Sequence, residues 1–310
     1  MENAHVIGID IGGTNFRIGA VRLGEYCAEL FHFQKVPVKE VFCTESAMDD
    51  LIRYLKRYCE MLRCEGKIVS AVSIGFPATL DKNRRMVLQA PNIPFMENLP
   101  VVDVLEHALG LPVLIEKDVG MSLFYDKTKY GLNDCRWLCG IYFGTGIGNA
   151  IFAEGKLLAG RNGAAGELGH IPVDGSFEKC GCGNSGCMEN LAGGKYLARL
   201  CREVYTNTEI GDLFLKHANE PVIRQFVDRM AATVAVELNI FDPDCVVLGG
   251  GVVNMKAFPK EYLKERILVH TRKPYPAQNL RLIFAEDEKE KAVVGAALFA
   301  AQSGRLCLTH

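Results

Sequence analysis

A pentapeptide pattern that occurs twice constrains this chain more than any other feature. Gly8-Ile9-Asp10-Ile11-Gly12 and Gly140-Ile141-Tyr142-Phe143-Gly144 both read Gly-Ile-x-apolar-Gly, 132 positions apart. Each ends a short apolar run, turns on glycine and threonine, and enters a second apolar run. Residues 6–11 are nearly continuous apolar and β-branched, the composition of a strand buried on both faces. Gly12-Gly13-Thr14-Asn15 then reads as a turn, with 16–21 as the returning strand of a hairpin. A similar hairpin is predicted over 137–153. Two such hairpins at the starts of two halves predict a duplicated fold with a cleft between the halves. The length of 310 residues agrees, being about two domains of roughly 150 residues.

Between the hairpins the periods alternate. Met48, Leu51, Leu55, Tyr58 and Leu62 recur at helical spacing, and Ser46 is placed to cap the start. Residues 68–76 read as a strand, followed by a loop punctuated by Pro77, Pro91, Pro94 and Pro100. The run Ala-Val-Val-Gly-Ala-Ala-Leu-Phe-Ala-Ala within 291–303 predicts a buried helix. Alternating helical and strand periods favour an α/β architecture.

Composition removes several function classes. At 49% hydrophobic and 23% charged residues, the chain can bury a sizeable core and is not disordered. A formal charge of -2 with no long run of one sign argues against nucleic acid as a partner, because phosphate contacts need clustered Lys and Arg. No stretch approaches 18 uninterrupted apolar residues, so no membrane partner is expected. The amino terminus lacks a basic-then-apolar export layout, and the twelve cysteines are spread along a long chain. Reduced thiols or a metal site are therefore expected, in a cytoplasmic enzyme.

Three glycine clusters stand out: Gly12-Gly13-Thr14, Gly144-Thr145-Gly146-Ile147-Gly148 and Gly249-Gly250-Gly251. No P-loop is present, and the second cluster lacks the dinucleotide-fingerprint spacing. The protein-kinase catalytic loop is also absent. Any one cluster alone reads as a tight turn. All three follow apolar strand-like runs, however, and ligand crevices in α/β sheets open at strand carboxyl ends. Glycine lets backbone N–H groups approach an anion, so together the clusters favour a phosphate-bearing ligand. Asp10 interrupts the first apolar strand. It is either a hydrogen-bonded core aspartate or a carboxylate reaching Mg²⁺ through water beside the turn. Asp118 follows the strand-like 112–117 and precedes a predicted helix, where a capping role competes with a chemical one.

The densest motif lies within 166–189. His170, Cys180, Cys182 and Cys187 fall within eighteen residues, interleaved with glycine, and make a tetrahedral zinc set for a protein without an export signal. Buried free thiols are the competing reading. Four protein ligands close such a site, so the zinc would be structural. The nine other cysteines read as packed small hydrophobes.

At these residues the sequence resembles the ROK family (repressors, open reading frames, kinases). The resemblance runs over nearly the whole chain. It is carried by Asp10-Ile11-Gly12-Gly13-Thr14, Gly75-x-Pro77, Pro91-Asn92, Asp118, Gly144-Thr145-Gly146-x-Gly148, Glu167-x-Gly169-His170, the cysteine cluster with Glu189, and Gly249-Gly250-Gly251. It implies an actin-like, ribonuclease-H-like duplicated α/β fold of two domains, with ATP and sugar in the interdomain cleft. The implied small domain is 1–117 completed by the carboxyl-terminal helix at about 291–310. The implied large domain, 118–290, carries the zinc loop.

The resemblance also implies roles. Asp10, Gly12, Gly13, Thr14, Asn15, Gly144, Thr145, Gly146 and Gly148 match positions at the ATP phosphates, and Gly249, Gly250 and Gly251 match positions near the adenosine. Asn92, Asp118, Glu167, His170 and Glu189 match sugar-contacting positions, with Asp118 at the place of the general base. His170, Cys180, Cys182 and Cys187 match zinc ligands. The implied reaction is ATP-dependent phosphorylation of a hexose at its 6-hydroxyl, with Mg²⁺ accompanying ATP, structural Zn²⁺, and a homodimer as the expected assembly.

Within the family, segments 166–172, 238–244 and 249–259 favour D-allose as acceptor, with glucose, fructose and N-acylmannosamine as alternatives. One departure bears on that choice. The family usually has Asn before the base, and this chain has Lys117, either a specificity group or a solvated lysine at a loop edge. The family also contains sugar-sensing repressors, which carry a helix-turn-helix segment before the first glycine turn. Nine residues precede Asp10, too few for one.

Overall fold

Strands β1 (Ala4–Ile11), β2 (Asn15–Leu23), β3 (Ala28–Pro37) and β4 (Ile68–Phe76) begin the chain, followed by a small hairpin of β5 (Thr79–Leu80) and β6 (Val87–Gln89) and then β7 (Val113–Lys117). One sheet has the order β3-β2-β1-β4-β7, antiparallel on the β3 side of β1 and parallel on the β4 side. Strands β8 (Trp137–Phe143), β9 (Ile147–Ala153), β10 (Lys156–Leu157), β11 (Cys245–Gly249) and β12 (Leu282–Phe284) repeat the plan. Their order is β10-β9-β8-β11-β12, with the same switch from antiparallel to parallel at the central strand. The two pentapeptides occupy the two equivalent central strands, β1 and β8. The duplicated, actin-like α/β fold expected from the sequence is the fold observed. This computed structural model describes residues 4–24 and 28–306.

The chain forms two units. One comprises Met1–Asn133, Ala159–Ala165 and Glu288–His310, the other Asp134–Leu158 and Gly166–Asp287. In the first, β1 is covered on both faces, which explains its nearly continuous apolar run. Ile7, Ile9 and Ile11 pack with Leu51, Leu55, Leu62 and Leu105 from helices Ala47–Cys64 and Val101–Leu109. Val6 faces the other way, toward Val293, Val294, Ala297 and Ala300 of helix Lys291–Gln302. Each such fully buried aliphatic side chain contributes roughly 1.5–3 kcal/mol. Ser46 caps helix Ala47–Cys64, its hydroxyl accepting the Asp49 N–H at 3.3 Å. In the second unit, Cys139, Ile141 and Phe143 of β8 join Phe226, Met230 and Leu238 of helix Pro221–Phe241 in one core.

The unit boundary differs from the one expected at 117/118. Helix Asp118–Lys129 belongs with the first unit because it packs on helix Lys291–Gln302. Lys291 and Asp126 form a buried ion pair at 2.7 Å. Gly295 sits so close to Met121 that a Cβ there would lie 1.9 Å from its carbonyl oxygen. That contact joins residues far apart in sequence, and local periodicity carries no trace of it.

The cysteines outside the 170–187 motif are less uniformly packed than expected. Cys135, Cys139 and Cys245 are buried and Cys59 and Cys201 partly so, but Cys43 and Cys64 are exposed, in a loop and at a helix end. Cys27 and Cys307 lie outside the described residues. All the described cysteines are free thiols. Among the described residues, no helix is long and apolar enough to cross a membrane.

Candidate active site

In the first unit, the parallel strands β1, β4 and β7 bring their carboxyl ends side by side. Asp10 lies opposite Gly75, and Gly75 opposite Glu116. Asp10 is 8% exposed, and the hairpin register sets Arg17 across from it. Arg17 Nη1 donates to Asp10 Oδ2 at 2.5 Å. Burial raises the Asp10 pKa, and the guanidinium opposes that rise. Beyond β1, the Gly12 N–H donates to the Asn15 carbonyl at 2.9 Å, closing a turn whose Gly13 and Thr14 are exposed. A Cβ on Gly13 would lie 3.0 Å from the Asn92 carbonyl oxygen, so Asn92 flanks this turn.

Asp118 is the first residue of helix Asp118–Lys129, immediately after β7. It is not the cap: Lys117 holds that position and makes no side-chain cap bond. Asp118 Oδ1 instead accepts the Val119 N–H at 2.8 Å. Its pKa is raised to about 7, by burial first and by the charge of Asp10 second, against the pull of the Val119 amide and Lys117. A buried carboxyl with its pKa raised to about 7 has the properties of a general base.

Lys117 is 9% exposed, and its Nζ donates to the Ala165 carbonyl at 3.1 Å. The solvated-lysine reading is therefore overturned. Glu116 is also buried. Its Oε2 accepts from Arg84 Nε at 2.8 Å and its Oε1 from the Lys117 N–H at 2.9 Å. Arg84 reaches on to the Gly163 carbonyl at 3.1 Å.

In the second unit, the 144–148 turn joins β8 to β9, and the Gly144 N–H donates to the Gly146 carbonyl at 3.0 Å. Gly249 ends β11, and Gly250, at φ +89°, lies on Phe143, the residue before Gly144. Two glycine clusters thus adjoin at the ends of paired strands. The third, 12–14, occupies the equivalent place in the first unit.

The zinc-type ligand set is assembled. His170, Cys180, Cys182 and Cys187 bring their donor atoms within 4.8 Å of one another. Cys180 Sγ is 3.6 Å from His170 Nδ1, and the Cys182 and Cys187 sulfurs are 3.6 Å apart. Tetrahedral bonds of 2.0–2.3 Å to nitrogen and sulfur give edges of about 3.6–3.8 Å, so these two separations match a zinc site and the donor set is compatible with one. Burial pushes the Cys180 thiol up to about 12 and also raises Cys187, whereas the Asn184 amide lowers Cys182. Gathering thiolates here therefore calls for a cation. His170 Nε2 faces the exposed Glu167, 3.7 Å from its Oε2. Glu189 opens the short helix Glu189–Ala192 and accepts from Cys180 Sγ at 3.3 Å.

The sequence reading missed Arg17 and Arg84. Arg17 was recoverable from register, since a tight hairpin about 12–15 sets positions 10 and 17 opposite each other. Arg84 depends on contacts 32 and 79 residues away in sequence, and nothing local marks it.

Two five-stranded sheets of one topology, with glycine turns at corresponding strand ends, define a duplicated α/β protein of the actin-like class. The chain belongs to the ROK family, which matches residues 6–303. It is 30% identical over 275 residues to the glucokinase of Thermotoga maritima, spanning 81% of this chain and 83% of that protein. It is 28% identical over 301 residues to the N-acetylmannosamine kinase of Salmonella typhi, spanning 95% and 97%. A ROK family glucokinase from Streptomyces griseus, solved in complex with glucose and AMPPNP, superposes with a TM-score of 0.76 at 28% identity, covering 96% of this chain and 99% of that one.

Proposed function

We propose that this protein is an ATP-dependent hexose kinase that phosphorylates the 6-hydroxyl, with D-allose as the acceptor. The observation that carries the reading is Asp118, a buried carboxyl just after the parallel edge strand β7, with its pKa raised to about 7 by burial and by the charge of Asp10. A sugar hydroxyl is a poor nucleophile. Asp118 accepts its proton as the oxygen bonds to the γ-phosphorus, the bond to the bridging oxygen breaks, and ADP leaves.

The turns at 12–15 and 144–148, exposed at Gly13, Thr14 and Thr145, offer N–H groups to the phosphates, and 249–251 lie nearer the adenosine. Asp10 is the hard oxygen donor beside the first turn that would hold Mg²⁺ brought in with ATP, which would supply charge neutralisation at the phosphates. Asn92, Glu167, His170 and Glu189 orient the sugar, the carboxylates each accepting hydroxyl protons in a defined direction. His170, Cys180, Cys182 and Cys187 hold a structural zinc.

The choice of D-allose rests on the resemblance at 166–172, 238–244 and 249–259 and on Lys117 beside the base. Glucose and N-acetylmannosamine are the competing acceptors, on similarity to the Thermotoga maritima and Salmonella typhi relatives. A coupled ADP-release assay across aldohexoses, ketohexoses and amino sugars decides among them. Highest kcat/KM with D-allose is expected. A clear preference for another sugar overturns the acceptor, and no sugar-dependent ADP release overturns the kinase.

A further inference from the structure

The 144–148 turn contains three glycines and so has few side chains of its own to fix its shape. Its support comes from the segment that follows the last cysteine of the zinc set. The backbone N–H groups of Gly194 and Lys195 donate to the carbonyls of Gly144 and Thr145 at 2.8 and 3.0 Å. A Cβ on Gly193 would lie 3.0 Å from the Thr145 carbonyl oxygen, and one on Gly194 would lie 2.6 Å from that of Gly144. The two chain segments therefore touch backbone to backbone.

Glu189 joins this clamp to the ligand set. One carboxylate oxygen lies against Gly146, where a Cβ would come within 2.2 Å of it. The other accepts from Cys180 Sγ at 3.3 Å and lies 3.9 Å from His170 Nδ1. The Glu189 carbonyl accepts the Gly193 N–H at 2.9 Å, tying the carboxylate-bearing residue to the start of the clamp. The other end of the set touches the turn as well. Gly169, adjacent to His170, packs so that a Cβ would lie 2.9 Å from the Ile147 carbonyl oxygen.

We propose that metal binding at His170, Cys180, Cys182 and Cys187 fixes the shape of the 144–148 turn through Glu189 and the 193–195 clamp, so that metal occupancy sets nucleotide affinity. This rests on the kinase reading, in which that turn meets the ATP phosphates. Glu189 is then a positioning residue for the nucleotide in addition to any contact with sugar. Three close backbone approaches leave the turn little freedom once the cysteine loop is fixed. Without a metal, the loop is held by thiol contacts, by the Lys179–Ser185 and Pro172–Cys187 bridges, and by the Asn190 amide and the Arg199–Glu178 ion pair, which leave the four ligand side chains without a common anchor.

The test is titration calorimetry of Mg²⁺ and AMPPNP in the absence of sugar. It compares the zinc-loaded protein, the chelator-stripped protein at a temperature where circular dichroism shows it folded, and zinc-loaded Glu189→Gln. Stripping is expected to weaken AMPPNP binding about tenfold or more, reversed by added zinc, the scale on which groups around a metal transmit its loss. Glu189→Gln, with zinc content unchanged, is expected to weaken it by roughly three- to tenfold. A residue that only contacts sugar would leave this sugar-free constant unmoved. Equal affinity in loaded and stripped protein overturns the proposal. If stripping unfolds the chain, an unchanged constant for zinc-loaded Glu189→Gln overturns it alone. Failure of the zinc-loaded wild type to bind AMPPNP overturns the kinase reading and the proposal with it.

Discussion

The ammonium of Lys117 donates to the carbonyl of Ala165, 48 residues away, at 3.1 Å. Lys117 immediately precedes the proposed base, and Ala165 stands two residues before Glu167. Arg84 makes a parallel tether, from the Glu116 carboxylate to the Gly163 carbonyl. Two cations, Lys117 buried and Arg84 partly so, thus fix the 163–165 backbone to the end of β7. The residue that departs from the family pattern is part of the framework that holds the 163–165 segment.

Asp118→Asn keeps the size of the side chain but cannot take the hydroxyl proton. Turnover should fall by roughly 10²-fold or more, while sugar affinity changes far less. Steady-state kinetics with a separate sugar titration measures both. A variant with near wild-type turnover would leave Asp118 with a purely structural place at the helix start.

The raised pKa of Asp118 gives two pH signatures. The base works ionised, so kcat/KM should rise with pH through about 7 and then level off, and Asp118→Asn should lose that limb. Stability runs the other way. The folded chain holds this proton more tightly than the unfolded chain, so the contribution of Asp118 is greatest below the ordinary value of 3.8 and is lost as pH rises through about 7. Relative to wild type, Asp118→Asn should therefore gain on the order of 2 kcal/mol at pH 8 and little at pH 4. Urea unfolding at the two pH values checks it.

The parts of this fold that were legible are those fixed by neighbours in sequence. The glycine turns of β1–β2 and β8–β9 could be read because an apolar run, a turn and a second run lie within twenty residues. The β3 strand could not, because as an edge strand it has only partly covered side chains and a weak alternation. The 117/118 boundary failed for a related reason. Helix Asp118–Lys129 is assigned by Gly295 and Lys291, which no local pattern connects to it. In the site, residue types and spacing marked the ligand set, while the burial of Lys117 depends on a carbonyl far along the chain.

The ligand set should carry about one zinc per chain in purified protein. Cys182→Ser removes an exposed ligand with little change in volume, so any loss of stability reports the metal rather than packing. Zinc content by elemental analysis should drop together with the melting temperature. His170 presents Nδ1 to the cysteines and Nε2 toward Glu167, so sugar affinity should fall in the same preparation. A metal-free protein with normal melting and normal sugar affinity would refute both couplings.

The last expectation concerns which epimer is phosphorylated. D-allose and D-glucose differ in the direction of one hydroxyl, on C3, so discrimination comes from groups that reach that oxygen or place those that do. One hydrogen bond lost in a site built for it leaves a polar group unpaired, about 1–3 kcal/mol, or roughly tenfold to several-hundred-fold in specificity. Lys117→Asn shortens the side chain and removes the cation from the Ala165 carbonyl. That releases the 163–165 segment and alters the field at Asp118, whose pKa Lys117 helps to hold down. The allose-to-glucose ratio of kcat/KM should fall, through allose loss, glucose gain or both. Lys117→Arg retains the charge and a donor and should preserve more of the ratio than Asn does. If Asn lowers kcat/KM for both sugars alike, Lys117 is only a tether, and the epimer choice passes to Asn92, Glu167 and Glu189.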